Sequence, residues 1–319
     1  MTVSKRWFPR TRFAQPVDLR GRRAIVTGTA PGSIGFETAR LLAAWGADLT
    51  ITTRTRTQEV AAQLLDRLTG GAHGHIDAQP LDLSDAASVE AFAAWHRRAH
   101  GEALDLLINN AGIHLDLLSQ WKQPTLSADG HELHWRTNFL GTLHLTRRLL
   151  PSLCASGRAN GDARIVNLVS QLHKRGSNED MFGARRPYDS WNAYGNSKLA
   201  LMHAGCEIQR RHAASDRVQA YSVHPGAVFT NIADKGLAGN PRLEGIRRRL
   251  APVERLFLLT PTEGAQTTLH CATHPEAVGG LYYHRCAPAR ASAHCADTEI
   301  STRLWQVAAD WADAQATAA

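Results

Sequence analysis

The stretch "RRAIVTGTAPGSIGFETARLLAAWGADLTITT", residues 22–53, decides the fold class. The short apolar run 22–28 predicts a strand, and apolar residues at helical spacing over 34–47 predict a helix that ends near Gly46. The β-branched run 48–53 predicts a second strand. A strand, a helix and a strand in this order indicate a βαβ unit, in which a helix connects two parallel strands.

The same alternation continues along the chain. Further strands are predicted within 75–84, 104–112, 163–170, 218–226 and 279–284, and helices between them include a long one around 127–154 and another at 191–211. This pattern predicts one α/β domain with a doubly wound parallel sheet of about seven strands and helices on both faces. Residues 21–315 are assigned to this domain, and residues 1–20 to an N-terminal extension outside the core.

Composition limits the class of protein. Apolar residues make up 43% and charged residues 20%, which is typical of a globular chain. No apolar run approaches the roughly 18 residues of a membrane span, and the basic start is not followed by the apolar run of a secretory signal. Five cysteines without CxxC spacing favour reduced thiols and a cytoplasmic location. The histidines form no metal motif, so no metal is expected.

Polar and glycine-rich segments follow most of the predicted strands. In a parallel sheet ligands bind at the carboxyl ends of the strands, near the point where the strand order reverses. The segments at these ends are Thr27–Gly35, Thr52–Arg56, Asp82–Leu83, Asn109–Gly112, Ser170 and His224–Thr230. Together they predict one ligand site along this edge of the sheet.

Tyr194 and Lys198 are the clearest candidates for chemistry. Residues i and i+4 share a helix face, so the lysine ammonium is expected near the phenol, where it would lower the tyrosine pKa. Such a tyrosine can exchange a proton with an alcohol oxygen. Ser170 ends a buried strand, and its hydroxyl is expected to bond a substrate carbonyl. Asn138 lies mid-helix, where asparagine is a poor helix former and bonding to backbone or water would explain it.

These motifs, in this order and at these spacings, resemble the short-chain dehydrogenase/reductase family over about residues 22–311. Within that family "ARIVNLVSQLH" and the long gap between Ser170 and Tyr194 are similar to the retinol dehydrogenase-like branch. The resemblance implies a Rossmann-type fold and a catalytic tetrad. Tyr194 would be the general acid/base, Ser170 would orient the substrate oxygen, Lys198 would bond the nicotinamide ribose, and Asn138 would hold a water.

The resemblance also implies the residues that bind a nicotinamide dinucleotide. They are Gly28, Ser33, Ile34, Gly35, Arg54, Asp82, Leu83, Asn110, Ala111, Gly112, Tyr194, Lys198, Pro225, Gly226 and Thr230. Asp82 would contact the adenine.

The glycine loop departs from the family's TGxxxGxG pattern by one added residue. If Gly28 and Gly35 keep their places, Ser33 occupies the middle-glycine position and Gly32 belongs to a lengthened turn. The alternative keeps Gly32 as the middle glycine. We favour the first, in which the Ser33 hydroxyl caps the following helix and the helix start faces the pyrophosphate.

The end of the second strand points to NADP(H). NAD-binding proteins of this shape tend to place an Asp or Glu here for the ribose 2′-hydroxyl, but none lies between Thr50 and Gln58. Arg54 offers a planar fork to a 2′-phosphate, with Thr53 and Thr55 as hydroxyl donors. A solvated basic turn is the alternative.

Two segments border the strand ends without a role toward the nucleotide: 171–191 and 231–261. They are expected to cover the substrate, with Trp121, Trp191 and Phe229 as wall or core residues. The expected substrate is a small molecule, a carbonyl compound or an alcohol, that is fairly large and apolar.

Three other readings follow from the same sequence. A catalytically silent dinucleotide-binding regulator would usually have lost Tyr194 or Lys198. A nucleic-acid binder driven by the +7 formal charge is not expected, because the arginines are spread along the chain. Related proteins often pair through the helices bearing Tyr194 and residues 262–273, so a homo-oligomer is one expectation.

Overall fold

The computed structural model of the protein describes residues 12–68, 73–118, 120–183, 187–228 and 258–318. Eight strands lie in the described residues: β1 Arg23–Thr27, β2 Asp48–Thr53, β3 Ile76–Pro80, β4 Leu106–Asn109, β5 Ala163–Leu168, β6 Val218–His224, β7 Tyr282–His284 and β8 Ala287–Pro288. They form one sheet in the order β3-β2-β1-β4-β5-β6-β7-β8. All neighbours pair in parallel except β8, which pairs antiparallel with β7.

Helices cover both faces of this sheet. They are α1 Ile34–Ala44, α2 Thr57–Asp66, α3 Ala86–His100, α4 Thr142–Asn160, α5 Ser190–Asp216, α6 Pro261–Thr273 and α7 Thr298–Ala318. A π-helical segment, Trp135–Gly141, leads directly into α4, and short 3₁₀ turns span Gln171–Arg175, Asn178–Asp180 and Ala293–Ala296.

The two faces bury separate apolar cores. Side chains of α1, α2 and α6 pack on one face, around Phe36, Leu64 and Leu269. Side chains of α3, α4, α5 and α7 pack on the other, around Phe92 and Leu304. The doubly wound, mostly parallel sheet confirms the predicted fold class; the expected seven strands become eight because the chain turns back after β7 into the two-residue β8.

One predicted boundary was wrong. The helix expected around 127–154 does not begin at residue 127, because Gly130 adopts a φ of +82° in a turn closed by the bond from the Gly130 N–H to the Ser127 carbonyl. The helical turns begin at Leu133 and continue to Asn160. Within the expected extension the structure describes residues 12–20, which are mostly exposed; Leu19 is buried and its N–H donates to the Trp45 carbonyl.

The strand order reverses between β1 and β4, which are neighbours in the sheet although β2 and β3 lie between them in sequence. At such a point the connections leave in opposite directions and a crevice opens beyond the strand ends. No helix in the described ranges has the length and apolar character needed to span a bilayer.

Candidate functional site

The glycine loop after β1 folds tightly against the end of β4. Gly28 adopts a φ of +72°, and a Cβ there would lie 2.8 Å from the Ala111 Cα. A Cβ on Gly35 would lie 2.3 Å from the Asn110 Nδ2 atom and 2.6 Å from the Gly28 carbonyl oxygen. Both positions therefore require glycine, because a side chain would push β1 and β4 apart.

Ser33 takes the place that the sequence pattern assigns to it. It is the N-cap of α1, and its hydroxyl accepts a hydrogen bond of 3.1 Å from the Phe36 N–H. Gly32 adopts a φ of +75° with open space around the position of a Cβ, as expected for a residue in a lengthened turn. The first of the two alternatives for the loop thus fits the structure better.

Ser33→Gly is expected to leave dinucleotide binding and stability nearly unchanged, because glycine is an acceptable N-cap and the backbone N–H remains. Ser33→Ala, which removes the cap without freeing the backbone, should lower the free energy of unfolding by about 1 kcal/mol. Urea unfolding and NADPH titration of the two variants measure this. If both variants lost NADPH affinity equally, the Ser33 hydroxyl itself would be shown to contact the ligand.

Asn110 ties the loop to the end of β4. Its side-chain amide donates to the carbonyl oxygens of Thr27 at 2.7 Å and Gly28 at 2.9 Å. The backbone N–H groups of Asn110 and Ala111 both donate to the Thr27 hydroxyl, each at 3.0 Å. The floor of the crevice is therefore held by a bonded network of neutral groups.

Arg54 directly follows β2. Its side chain is exposed and lines the crevice. The Thr53 hydroxyl, by contrast, donates to the Thr55 carbonyl at 2.8 Å and so stabilises the turn; the hydroxyl expected to serve a 2′-phosphate is already used. On the other side of the crevice, Asp82 accepts bonds from the N–H and hydroxyl of Ser84, which fixes its carboxylate beside Leu83.

The four predicted catalytic residues converge next to this loop. Tyr194 and Lys198 lie one turn apart on α5, and the Lys198 Nζ donates to the Leu168 carbonyl at 2.9 Å. Ser170 follows β5, and its hydroxyl is hydrogen-bonded to Tyr194. A Cβ on Gly112 would lie 3.1 Å from the Asn138 Oδ1 and 3.2 Å from the Lys198 Nζ, so this glycine lets the strand end approach both side chains.

Asn138 is fully buried in the π-helical segment, and its bonds explain an asparagine there. Its Oδ1 accepts from the Ile113 N–H at 2.8 Å, and its Nδ2 donates to the Ile113 carbonyl at 2.9 Å and the Ser197 hydroxyl at 3.1 Å. The Ser197 hydroxyl in turn donates to the Tyr194 carbonyl at 2.7 Å. Asn138 thereby connects the end of β4 to the turn of α5 that carries Tyr194.

The expected lowering of the tyrosine pKa is not found. Burial of the phenol raises the pKa of Tyr194 to about 12, against which the hydrogen bond with Ser170 acts in the lowering direction. The Lys198 Nζ lies 5.8 Å from the centre of the tyrosine ring, and burial lowers its own pKa to about 8. Desolvation outweighs the attraction that sequence spacing suggested, because it penalises both charged forms.

His114 is a neighbour of Tyr194 that the sequence did not reveal. The two rings are stacked, with centroids 4.0 Å apart and planes 12° apart, and the Trp191 ring packs edge-on against His114 at 4.9 Å. Burial lowers the pKa of His114 to about 4, so the imidazole is neutral at pH 7. Its place two residues after Gly112 is the only signal in the sequence, since both follow the same strand end.

A crevice of about 540 Å³ joins these parts. Of the predicted residues it is lined by Gly28, Ser33, Ile34, Arg54, Asp82, Leu83, Asn110, Ala111, Gly112, Tyr194, Lys198 and Pro225. Leu115, Leu133, Thr137 and Val169 also line it and were missed, because nothing in the local sequence distinguishes them from core residues. Gly35 lies beneath the loop, and Gly226, at a φ of +92°, approaches the Leu259 side chain.

The covering segments are described only in part. Thr230, Phe229 and most of 231–261 lie outside the described residues, as do residues 184–186 of the other segment. The first half of 171–191 packs on α5: a Cβ on Gly176 would lie 2.9 Å from the Gly195 carbonyl oxygen, and His173 is fully buried. Trp191 lies behind Tyr194 against His114, and Trp121 is half-buried.

The donor set of the crevice fits a nicotinamide dinucleotide phosphate. Ser33 and Ile34 at the start of α1 line it, and the positive end of a helix dipole stabilises a pyrophosphate at such a place. Arg54 supplies a guanidinium, and the described wall holds no carboxylate at the end of β2 that would repel a 2′-phosphate.

Comparison with known proteins agrees with this architecture. Residues 22–240 match the model of the short chain dehydrogenase family. A probable oxidoreductase of Streptomyces lividans is 38% identical over 92% of this chain and 98% of its own length. Retinol dehydrogenase 11 of Mus musculus is 36% identical over 92% and 87%, and polyprenol dehydrogenase of Mus musculus is 36% identical over 89% and 82%.

Solved structures agree as well. A short chain dehydrogenase structure from Pseudomonas syringae aligns with a TM-score of 0.61 and 26% identity, covering 85% of this chain and 97% of that one. An active-site complex of RhlG with NADP from Pseudomonas aeruginosa aligns with a TM-score of 0.61 and 25% identity, covering 84% and 96%. The chain belongs to the short-chain dehydrogenase/reductase family of oxidoreductases and has its Rossmann-type fold.

Proposed function

We propose that the protein is an NADP(H)-dependent oxidoreductase that interconverts a ketone or aldehyde and an alcohol on a fairly large, apolar substrate. One observation carries the proposal: Tyr194 and Lys198 line the same crevice as the glycine loop and Arg54, while Ser170 bonds Tyr194 from the adjacent strand end. This arrangement supports a redox cofactor bound beside a proton-transferring group.

In this proposal the dinucleotide lies along the strand ends. Ser33 and Ile34 at the start of α1 hold the pyrophosphate, Asp82 and Leu83 border the adenine, and Asn110, Ala111, Gly112, Pro225 and Gly226 border the remainder; Thr230 stays a prediction. When bound, the nicotinamide supplies a hydride to the substrate carbon or accepts one from it.

Tyr194 is the proposed proton donor and acceptor. In reduction its hydroxyl gives a proton to the carbonyl oxygen as that oxygen gains charge, and in oxidation it takes the alcohol proton. A pKa of about 12 keeps the phenol protonated at neutral pH, which suits reduction. Ser170 donates a second hydrogen bond to the same substrate oxygen and stabilises its developing charge.

Lys198 and Asn138 are both proposed to assist Tyr194. Lys198 would bond the nicotinamide ribose and, when protonated, favour the tyrosinate formed during reduction. Asn138, already bonded to Ile113 and Ser197, holds the helix turn of Tyr194 in place and would position a water that connects Lys198 to solvent.

The cofactor preference depends on Arg54. Arg54→Ala is expected to raise the KM for NADPH by about 10- to 100-fold, because a hydrogen bond to a charged group contributes about 1.5–3 kcal/mol. The KM for NADH should change little, since NADH lacks the phosphate. Steady-state kinetics with both cofactors measure the ratio.

Arg56→Asn is the matched control for Arg54→Ala. It also removes one positive charge two residues away, and Asn tolerates the left-handed backbone of this position, where φ is 54°. If wild type prefers NADH, or if Arg56→Asn changes the preference as much as Arg54→Ala, the assignment of Arg54 is wrong.

The crevice indicates the kind of substrate. Leu115, Leu133 and Val169 line the same crevice as Tyr194, so an apolar part of the substrate would gain by burial there. Related proteins named for retinol and polyprenol are consistent with large apolar molecules.

The function is tested by following NADPH absorbance with a panel of aromatic, polycyclic and terpenoid ketones and aldehydes. Tryptophan fluorescence titration measures cofactor binding independently of turnover. NADPH binding without turnover of any member of the panel would support the silent regulatory alternative. That alternative is not favoured, since all four side chains of the proposed tetrad are present and adjacent. A cytoplasmic location stays a prediction; the five cysteines are free thiols, as a reducing compartment requires.

A further inference from the structure

A second cluster of reactive side chains lies far from the crevice, where the C-terminal halves of α4 and α5 meet. It consists of Cys154 on α4, and His212 and Asp216 on α5. His212 follows Tyr194 by eighteen residues of one continuous helix, a distance of about 27 Å along its axis. The cluster therefore has no contact with the proposed redox site.

The three potential ligand atoms are close together. The Cys154 Sγ lies 3.7 Å from the His212 Nδ1, which lies 2.9 Å from the Asp216 Oδ2, and all three atoms are within 4.8 Å of one another. They belong to rigid elements: a Cβ on Gly157 would lie 2.2 Å from the Asp216 carbonyl oxygen, so the two helices touch here through backbone.

The hydrogen bonds within the cluster converge on the Asp216 carboxylate. The His212 Nδ1 carries either a proton or a lone pair, so it cannot both donate to Asp216 and accept from the Cys154 thiol. An i, i+4 ion pair accounts for His212 and Asp216, and the thiol has the same carboxylate as its hydrogen-bond partner. A cation that displaced the thiol proton would bind sulfur, nitrogen and oxygen at once.

The geometry points to a divalent transition-metal site of the zinc class formed by Cys154, His212 and Asp216. Thiolate, imidazole and carboxylate are zinc ligands, with bond lengths of about 2.3 Å to sulfur and about 2.0 Å to nitrogen and oxygen. At tetrahedral angles these lengths place sulfur and nitrogen about 3.5 Å apart and nitrogen and oxygen about 3.3 Å apart. The observed sulfur–nitrogen distance of 3.7 Å is close to the first value, the nitrogen–oxygen distance of 2.9 Å requires the His212–Asp216 pair to open slightly, and the sulfur and oxygen atoms lie within 4.8 Å of each other. Solvent would complete the fourth position.

Two neighbouring side chains already donate hydrogen bonds to the Asp216 carboxylate. Arg158 donates to the Asp216 Oδ1 at 2.5 Å, which leaves Oδ2 to face the cluster, and the Ser215 hydroxyl donates to Oδ2 at 2.9 Å. Hydrogen bonds to a ligating carboxylate orient it for the metal. The Arg158 side chain is 57% exposed, so it can turn away and let a cation enter.

Cys154 is a neutral thiol when no metal is bound. Burial raises the pKa of Cys154 to about 11, so without a metal it is protonated at neutral pH. Metal binding would deprotonate it and connect the end of α4 to the end of α5. Because the cluster lies far from the crevice, the metal is expected to stabilise the helix pair without taking part in turnover.

Cobalt(II) is the probe that tests this site, because its thiolate complexes absorb in the near ultraviolet and its four-coordinate complexes have intense visible bands. Metal-free protein with any affinity tag removed is titrated with CoCl₂, and then with ZnCl₂ as competitor. We expect one cobalt per chain, both absorption features, their loss when zinc is added, and a higher melting temperature with zinc. Turnover with NADPH should be the same with and without the metal.

Cys154→Ser is expected to abolish the thiolate band and weaken cobalt binding by at least about 100-fold. Cys206→Ser, on the same helix as His212, is the matched control and should keep the band. If Cys154→Ser does not fold, as judged by circular dichroism, His212→Gln serves instead and should lose the four-coordinate bands. A wild-type protein without a thiolate band, or a band that persists in Cys154→Ser or disappears in Cys206→Ser, would overturn the proposal.

Discussion

Tyr194→Phe is expected to reduce turnover of carbonyl substrates by about 10³-fold, while the KM for NADPH changes little. The substitution removes the hydroxyl that is proposed to exchange a proton with substrate, and general acid–base catalysis contributes about 10²- to 10⁴-fold. The phenylalanine ring keeps the stacking contact with His114, whose ring lies 4.0 Å away, so the shape of the crevice is preserved. Steady-state assays with NADPH and the best substrate of the panel measure the loss.

Tyr221→Phe is the control for loss of a buried phenol. Its hydroxyl donates to the Ala277 carbonyl at 3.1 Å, away from the crevice, so turnover should be unchanged. Activity of Tyr194→Phe within tenfold of wild type would mean that another group supplies the proton and that the proposed mechanism is incorrect.

Lys198→Met is expected to combine loss of activity with a gain in stability. Turnover should fall by at least about 10²-fold, because the ammonium no longer stabilises the tyrosinate. In the cofactor-free protein the free energy of unfolding should rise by about 3 kcal/mol at pH 7. The lysine has a pKa of about 8 in the fold against 10.5 as its ordinary value, so its charge is costly to bury.

The stability gained by Lys198→Met is expected to depend on pH. Below pH 8 the lysine is charged in both the folded and the unfolded state, so the full cost of burying the charge is present. Between pH 8 and 10.5 the folded protein has released a proton that the unfolded chain still holds, and the cost disappears. The advantage of Lys198→Met should therefore be largest at pH 7 and smaller at pH 9.5, as measured by urea unfolding.

Lys174→Met is the matched control, since Lys174 is exposed and should show neither effect. A Lys198→Met protein that is less stable than wild type at pH 7 would contradict the argument. It would show that the bond from Nζ to the Leu168 carbonyl outweighs the cost of the buried charge.

Most of the site could be predicted because parallel strands bring their carboxyl ends together whatever the rest of the chain does. Ser170, the Asn109–Gly112 turn and the Tyr194–Lys198 pair are each weak signals, but the sheet order β1-β4-β5 places them side by side. Ser33 as a helix cap followed from local chemistry alone.

What could not be predicted depends on tertiary surroundings. The pKa of Tyr194 rises because the phenol is enclosed, and spacing on a helix cannot reveal burial. His114 stacks on Tyr194 only because two strand ends and α5 meet there. The start of the helix near residue 133 did have a local signal, the turn residues "SADG" at 127–130, which apolar periodicity overrode.

The bonds made by Asn110 have a consequence for the kinetics of cofactor association. Because its amide already joins the carbonyl groups of Thr27 and Gly28, the pyrophosphate loop is expected to be preorganised and to lose little conformational entropy on binding. The two nicotinamide cofactors would then meet the same rigid loop at similar association rates. Discrimination between them would appear in the dissociation rate, through the contact that Arg54 keeps with one and lacks with the other.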